Sequence, residues 1–268
     1  MLRARSTQNA NTNTDTKNTA QISEIEYAKN ADMTWMKRMS KPLIIGTGWC
    51  AHADGHANNK NSSKWMYAPE WLDTWWNYHR RQLFEMSTTY DDPFIYMSDC
   101  AVIPNLGWNF ETIYSLGNHD LSIHSHDSQV AIIAGAQYAY CNECDFVYIE
   151  QDCLIRGLGK AIEWARDNEA KIAYGSGRWS MFPGWAEHSF IYVSYDYLPK
   201  FVFKMMNSDI KFNDSKGREV VELTFNRLFK DDATFWPFGY GRRRPIDFDQ
   251  DVFYAQQLTD AEIEEFLR

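Results

Sequence analysis

Residues 143–155 read ECDFVYIEQDCLI, and this stretch decides how the chain is expected to fold. Residues 146–149 are aromatic or β-branched, which is typical of a short interior strand. Two acidic residues, Glu150 and Asp152, follow directly. Because side chains alternate along an extended chain, both carboxylates would lie on one face just beyond the carboxyl end of the strand. Such a pair is either the polar exit of the strand or a pair of ligands for a divalent metal ion.

The segments around this stretch alternate between predicted strands and helices. From the amino terminus, the predicted elements are a strand at 42–45, a helix at 69–86, strands at 92–99 and 121–126, a helix from a cap at Ser128 to 142, the strand before Glu150, a helix near 157–168 and a strand at 171–176. This alternation predicts an α/β fold with a mainly parallel central sheet flanked by helices. Ligands bind such sheets outside the carboxyl ends of the strands, where the acidic pair would lie.

The remaining sequence is divided by composition. Residues 1–22 are polar and have almost nothing to bury, so they are expected to form a disordered tail, and 23–40 to form a possible helix. Residues 41–268 are expected to form one domain. Its carboxyl-terminal part is predicted to contain a strand and a short helix at 188–202, an amphipathic helix at 218–229, a structured loop at 235–258 and a final helix at 260–268.

The bulk composition excludes several classes of protein. A formal net charge of -9 argues against a general nucleic-acid binder, because phosphate contacts need a basic surface. No run reaches the roughly 18 to 20 apolar residues of a membrane span, so none is expected. The first residues show no apolar core of a signal peptide, and five cysteines without regular spacing suggest reduced thiols. A cytoplasmic location is therefore expected.

The acidic pair suits the chemistry of a hard divalent cation. Mn²⁺ and Mg²⁺ prefer carboxylate oxygens, and both ions bridge readily to a diphosphate. In residues 128–168 a predicted helix is followed by the apolar strand, the two acids and a second predicted helix. This order favours a ligand-binding site at the end of the strand. The alternative, a polar strand exit, remains open at this point.

The succession of helix, apolar strand and acidic pair in residues 128–155 resembles the middle of the GT-A-fold glycosyltransferases. The order of elements is similar from about residue 42 to about residue 194. The family ends a central strand with a DxD-like motif that binds a metal ion and the diphosphate of a nucleotide sugar. The resemblance implies a single GT-A-like (Rossmann-like) domain in which Glu150 and Asp152 bind Mn²⁺ or Mg²⁺. This chain has Glu in the first acidic place.

A glycine- and arginine-rich segment, GYGRRRPIDFDQD, covers residues 239–251. Its arginine side chains match phosphate oxygens, and a closing loop would exclude water from a transfer reaction. The residues predicted to bind the nucleotide sugar here are Arg242, Arg243 and Arg244. The alternative is a solvated basic turn that pairs with the aspartates following it.

Glu187 is the candidate general base. Many glycosyltransferases of this fold use an acidic residue beyond the metal motif to take the proton of the acceptor hydroxyl. Glu187 lies between a Gly-Trp turn and a predicted strand, and His188 would assist it or bind the metal. A structural surface role for Glu187 is the alternative, and Glu222 and Asp249 remain alternative bases.

Three further residues are predicted to lie on the same edge of the sheet. His124 and His126 would end the strand at 121–126 and line the donor pocket, and Asp99 would follow the strand at 92–99. An acid at that place would accept a hydrogen bond from a nucleobase or a ribose hydroxyl, or would cap the next turn.

The predicted function is transfer of a sugar from a nucleotide-diphosphate sugar to an unknown acceptor hydroxyl, dependent on Mn²⁺ or Mg²⁺. Three alternatives remain. A nucleotidyltransferase similar to nucleotide-sugar pyrophosphorylases would use a similar sheet and metal. A non-catalytic carbohydrate- or nucleotide-binding module would use the abundant aromatic residues. A metallophosphoesterase is suggested by GNHD at 117–120.

Overall fold

The structure is a computed structural model that describes residues 42–48, 69–86, 94–98, 111–114, 124–176, 185–208 and 221–268. These residues all belong to one compact unit, Lys41–Arg268. The tail predicted at 1–22 and the helix predicted at 23–40 lie outside the described residues. None of the helices within the described ranges is long and apolar enough to cross a membrane.

The described chain alternates between strands and helices. The strands are β1 (Pro42–Gly48), β2 (Phe94–Ser98), β3 (Glu111–Tyr114), β4 (Asp145–Glu150), β5 (Cys153–Arg156), β6 (Ile172–Gly175), β7 (Glu187–Val193), β8 (Ala233–Phe235) and β9 (Phe253–Gln256). The helices are α1 (Pro69–Met86), α2 (His124–Cys141), α3 (Leu158–Asp167), α4 (Leu198–Met206), α5 (Val221–Phe229) and α6 (Asp260–Leu267).

Seven of these strands form the central sheet, in the order β3-β2-β1-β4-β7-β6-β8. The first four strands in this order run parallel to one another, and β8 runs parallel to β6. Strand β7 is antiparallel to both β4 and β6. The sheet is therefore mixed, and the prediction of a mainly parallel sheet holds only in part. The segment 176–186 between β6 and β7 is shorter than the dozen or so residues of a helical crossover, so the chain returns antiparallel.

The strand predicted at 121–126 is wrong. Helix α2 begins at His124, before the predicted cap at Ser128, so 124–126 are helical. The third parallel strand of the described sheet is instead β3, with the sequence ETIY.

A second, two-stranded sheet joins β5 to β9 in antiparallel register, with Cys153 opposite Gln256. Neither strand was predicted: β5 follows the acidic pair at once, and β9 lies in the segment 235–258 that was expected to be a loop. This small sheet places the carboxyl-terminal part of the chain directly beside the acidic pair.

The core lies on both faces of the central sheet. In β4, Val147 and Ile149 pack with residues of α1, α3 and α6, whereas Phe146 and Tyr148 pack with residues of α2, α4 and α5. All four side chains are buried, as expected for an interior strand covered by helices on both sides. The strand therefore fixes the position of Glu150 at its end.

Candidate active site

The acidic pair lies at the carboxyl end of β4. Glu150 is the last residue of that strand, and Asp152 follows in the turn that leads to β5. Both carboxylates accept a hydrogen bond from the same side-chain nitrogen, Nε2 of Gln256, which lies 3.1 Å from Oδ1 of Asp152 and also donates to Oε2 of Glu150. The structure therefore brings the two predicted ligands together on one side of the turn.

Two tryptophans of α1 hold this turn through its backbone. The indole nitrogen of Trp71 donates to the carbonyl oxygen of Gln151 over 2.7 Å. The indole nitrogen of Trp75 lies 3.2 Å from the carbonyl oxygen of Glu150 and 3.1 Å from that of Cys153. The two indoles therefore anchor the backbone on both sides of Asp152.

Two further residues on the same face of α1, His79 and Gln82, contact β5 and the start of α3. Nε2 of His79 accepts a hydrogen bond from the backbone N–H of Ile155 over 3.2 Å, so Nδ1 carries the proton and donates to the carbonyl oxygen of Trp75 over 2.9 Å. Burial lowers the pKa of His79 to about 3, which keeps the imidazole neutral. Gln82 donates to the carbonyl oxygen of Ile155 and accepts from the N–H of Leu158.

Strand β7 brings Glu187 and His188 to the acidic pair. Because β7 is antiparallel to β4 and Phe190 pairs with Ile149, its first residues extend past the end of β4. Glu187 is only 4% exposed, so the alternative of a surface carboxylate does not hold. Nε2 of His188 lies 3.3 Å from Oε1 of Glu150. Within the described part of the chain, Nδ1 of His188 meets no hydrogen-bond partner.

A buried hydroxyl connects Glu187 to the rest of the site. Oγ of Ser189 lies 2.6 Å from Oε1 of Glu187 and 2.9 Å from Oε1 of Gln256. Burial raises the pKa of Glu187 to about 7, so a substantial protonated fraction exists near neutral pH. With that proton on Glu187, the carboxyl donates to Ser189 and Ser189 donates to Gln256, so every partner in the chain is satisfied.

The three arginines have different environments. Arg242 is half-buried, and its Nε donates to Oε1 of Gln256 over 3.2 Å. Arg243 is exposed. The guanidinium of Arg244 pairs with Glu262 of α6 and also donates to the carbonyl oxygens of Gln256 and of the following residue. The structure therefore brings one of the three predicted phosphate-binding arginines, Arg242, to the acidic pair, whereas Arg244 ties the loop to α6.

The environment of the acidic pair disfavours the ionised form of both carboxyl groups. Burial and the neighbouring Asp152 raise the pKa of Glu150 to about 8, against the opposing effect of Arg242. Burial also raises the pKa of Asp152, and Arg242 again opposes the shift. Burial alone would lower the pKa of Arg242, but four carboxylates outweigh it and raise that pKa. The four are those of Glu187, Asp152, Glu150 and Glu222.

The residues present fit a divalent cation as a two-carboxylate site. Across residues 124–176, 185–208 and the other described ranges, no group of three or more His, Cys, Asp or Glu side chains has a metal-binding arrangement. Mg²⁺ is often held by only one or two carboxylates, with water and substrate phosphates completing its shell. Burial and the repulsion from Asp152 raise the pKa of Glu150, and a cation between the two carboxylates would offset both effects.

The other predicted donor-site residues are less defined. Asp99 lies outside the described residues, and so does the GNHD segment at 117–120. His124 and His126 belong to the first turn of α2 rather than to a strand end. Since α2 connects the parallel strands β3 and β4, it runs back along the sheet, and its first turn lies toward the carboxyl edge.

Two site residues were missed by the sequence analysis, Ser189 and Gln256. Ser189 lies in the segment 188–202, which was predicted only as a strand and a short helix, and Gln256 lies in a segment expected to be a loop, far along the chain from the acids. No local motif marks either residue. Only the pairing of β9 with β5 brings Gln256 to the acidic pair.

Proteins with a similar structure are found among the solved structures. No protein-family model matches the chain. No curated protein matches it either. One similar solved structure is described as galactosyltransferase LgtC in complex with donor and acceptor sugar analogs. It is 12% identical, with 82% of this chain and 88% of that chain covered, at a TM-score of 0.47.

Another is described as a glycosyltransferase involved in the glycosylation of the major capsid of PBCV-1. It is 10% identical, with 85% of this chain and 97% of that chain covered, at a TM-score of 0.43. Both of these similar structures are glycosyltransferases.

Proposed function

We propose that the protein transfers a sugar from a nucleotide-diphosphate sugar to an acceptor hydroxyl with the help of Mn²⁺ or Mg²⁺. The observation that carries the proposal is the half-buried pair Glu150 and Asp152, which lies at the carboxyl edge of the sheet beside the cationic Arg242. A third acid, the buried Glu187, lies in the same hydrogen-bond network. Acids that bind a cation, an arginine and a separate base are the groups that this reaction needs.

Glu150 and Asp152 are the residues that would hold the cation. When bound, a divalent ion neutralises the negative charge that develops on a departing diphosphate. The chain itself contributes two carboxylates that share one hydrogen-bond donor, so they are positioned on the same side before any ligand arrives. This prior positioning reduces the ordering that binding must otherwise cost.

Arg242 is the residue that would contact the diphosphate. A guanidinium has five N–H donors in a fixed plane, of which Nε donates to Gln256. The planar fork matches the spacing of phosphate oxygens. Burial strengthens such a contact because the local dielectric is lower than in water. The expected role of Arg242 is to hold the diphosphate beside the acidic pair and to stabilise it as it leaves.

Glu187 is the proposed general base. General bases work best when their pKa lies near the operating pH, and burial brings the pKa of Glu187 to about 7. Its deprotonated form would accept the proton of the acceptor hydroxyl as the new glycosidic bond forms. In this form Ser189 turns its single hydroxyl proton from Gln256 to Oε1 of Glu187, and that contact fixes the orientation of the carboxylate.

A donor screen tests the proposed function. The purified protein is heated with UDP, GDP, CDP and dTDP, each with Mn²⁺ and with EDTA, and the nucleotide that stabilises it is then tested in the form of its sugar conjugates. A ligand at 100 times its Kd should add about 2.7 kcal/mol of stability. We expect one nucleotide class to stabilise the protein only with Mn²⁺, and its sugar conjugate to release nucleoside diphosphate faster when an acceptor is present.

Matched variants connect that result to the site. Asp152→Asn should at least halve the Mn²⁺-dependent shift, whereas Asp167→Asn, an exposed change at the end of α3, should leave it intact. The proposal fails when no nucleotide stabilises the wild-type protein, or when the shift is unchanged in Asp152→Asn.

A further inference from the structure

The carboxamide of Gln256 is the centre of the site's hydrogen-bond network. Gln256 ends β9 and is 2% exposed. Its Nε2 donates to Oε2 of Glu150 and to Oδ1 of Asp152, the latter over 3.1 Å. Its Oε1 accepts from Oγ of Ser189 over 2.9 Å and from Nε of Arg242 over 3.2 Å. Two donors and two acceptors thus meet on one side chain.

The chemistry of these four neighbours fixes which way the amide points. Carboxylates only accept when ionised, and the guanidinium of Arg242 only donates. A reversed amide would direct its NH₂ group at Arg242 and its carbonyl oxygen at two carboxylates. Both contacts would then be repulsive, so only the observed orientation satisfies the network.

The backbone holds Gln256 in this place. In the two-stranded sheet Gln256 lies opposite Cys153, the residue that follows Asp152. The N–H of Gln256 donates to the carbonyl oxygen of Gly241 over 2.8 Å, which brings the arginine segment alongside. The N–H of Gln257 donates to the carbonyl oxygen of Asp152 over 3.1 Å. The amide is therefore anchored on both sides by segments that carry the acids and Arg242.

We propose that Gln256 is a positioning residue that holds the acidic pair together. Its NH₂ group gives one hydrogen to Glu150 and one to Asp152, and so offsets the repulsion between these two half-buried side chains when both are ionised. Its carbonyl oxygen holds Arg242 beside them and, through Ser189, connects Glu187 to the same unit. The reaction served by this unit rests on the proposed function, whereas the contacts themselves do not.

Gln256 sets the geometry of the two acidic side chains in the metal-free protein. Without its two hydrogen bonds, Glu150 and Asp152 would move apart to relieve their repulsion, and a bound cation would have to bring them together again. Gln256 therefore keeps Glu150 and Asp152 converged before a cation arrives. Side chains that orient metal ligands from outside the first shell commonly change metal affinity by roughly 10- to 100-fold when they are removed.

A double-mutant cycle tests the contacts without reference to any reaction. Gln256→Glu keeps the shape of the side chain but replaces the donor with a third carboxylate. Asp152→Asn supplies an amide in the opposite place, so the double variant regains a donor and an acceptor. In EDTA we expect Gln256→Glu to lower the unfolding midpoint strongly, and Asp152→Asn to restore most of that loss.

Gln137→Glu is the matched control, because it makes the same change on an exposed face of α2. Its effect on the midpoint should be small, and Asp152→Asn should not alter that effect. The proposal is overturned when the losses of Gln256→Glu and Asp152→Asn simply add, or when Gln256→Glu is as stable as Gln137→Glu.

A second variant covers the case in which Gln256→Glu does not fold. Gln256→Met keeps the length of the side chain and removes every polar contact. Titration calorimetry with Mn²⁺ alone should show roughly 10- to 100-fold weaker binding to Gln256→Met than to wild type, and no change in Gln137→Met. Unchanged Mn²⁺ affinity in Gln256→Met would overturn the positioning role.

The Mn²⁺ titration and the metal-free mutant cycle both test the role of Gln256 independently of sugar transfer. When the wild-type protein binds Mn²⁺ but transfers no sugar, the calorimetry still decides the role of Gln256. When it binds no metal at all, the metal-free cycle decides it. Coupling between positions 152 and 256 in that cycle supports the proposal even though sugar transfer has failed, and additive losses overturn it.

Discussion

Burial separates Glu187 from an ordinary acidic residue at the start of a strand. A carboxylate at that position would normally face solvent, but here it is enclosed by the sheet and hydrogen-bonded to Ser189. The enclosure raises its pKa to about 7, which suits a base that must exchange a proton near neutral pH. The sequence alone showed only the order of residues, in which Glu187 follows a Gly-Trp turn.

Glu187→Gln tests this role. Glutamine keeps the shape and the contact with Ser189 but cannot accept the acceptor's proton, so turnover should fall by roughly 10²- to 10⁴-fold. The unfolding midpoint should change little, since the side-chain volume is conserved. Glu163→Gln, an exposed change on α3, is the control. A Glu187→Gln protein that turns over within twofold of wild type would remove Glu187 from the mechanism.

His79 is a second residue whose burial has a measurable consequence. Its pKa falls from 6.5 to about 3 on folding because the buried site accepts only the neutral ring. The unfolded chain therefore binds a proton that the folded chain does not, and stability is lost as the pH falls from 6.5 towards 3. The loss from this residue should be about 1.4 kcal/mol per pH unit in that range.

Urea unfolding at several pH values between 7.5 and 4.5 measures the effect. His79→Gln removes the titrating group and keeps a donor and an acceptor, so its stability should decline less steeply with falling pH than that of wild type. Equal slopes for the two proteins would show that folding does not lower the pKa of His79.

At the level of elements, α1 acts as a brace for the acidic turn. Trp71, Trp75, His79 and Gln82 lie at spacings of three or four residues, which places them on one face of the helix. Each contacts backbone groups of residues 150–158. The direction of the two carboxylates therefore depends on a helix that is separated from them by more than sixty residues of sequence.

Trp75→Phe tests the brace. Phenylalanine retains most of the packing but leaves the carbonyl oxygens of Glu150 and Cys153 without the indole donor, which should cost about 1–3 kcal/mol. Mn²⁺ affinity should fall with it, because the turn loosens. Trp164→Phe makes the same substitution on α3 and is the control for the loss of indole packing. Full Mn²⁺ affinity in Trp75→Phe would show that the brace does not position the acids.

Across the whole molecule, the central sheet and the two-stranded sheet meet at Gly175. A Cβ atom at this position would lie 1.9 Å from Oη of Tyr254 in β9 and 2.7 Å from Cβ of Glu187 in β7. Gly175→Ala should therefore destabilise the protein by about 1–3 kcal/mol, through forced movement of both neighbours. Chemical unfolding measures the loss, and unchanged stability would mean that β9 moves freely against the sheet.

The sequence predicts the parts of this architecture that depend on local patterns. The apolar run of β4, the helical periodicity of α1 and the acids at a strand end follow from residue type and spacing. The reversal at β7, the pairing of β9 with β5 and the position of Gln256 depend on contacts between distant segments, and no short pattern encodes them. The strand predicted at 121–126 failed because a short polar segment has no periodicity to distinguish a strand from a first helical turn.

The central claim is that the acidic pair and Arg242 form a metal-dependent diphosphate site. The most direct measurement is titration calorimetry of the nucleoside diphosphate chosen by the donor screen, with Mn²⁺ present, into wild type, Asp152→Asn and Asp167→Asn. We predict binding to wild type and to Asp167→Asn with similar affinity, at least tenfold weaker binding to Asp152→Asn, about 1.4 kcal/mol or more, and none in EDTA. Equal affinity for all three proteins, or binding that survives EDTA, would contradict the account.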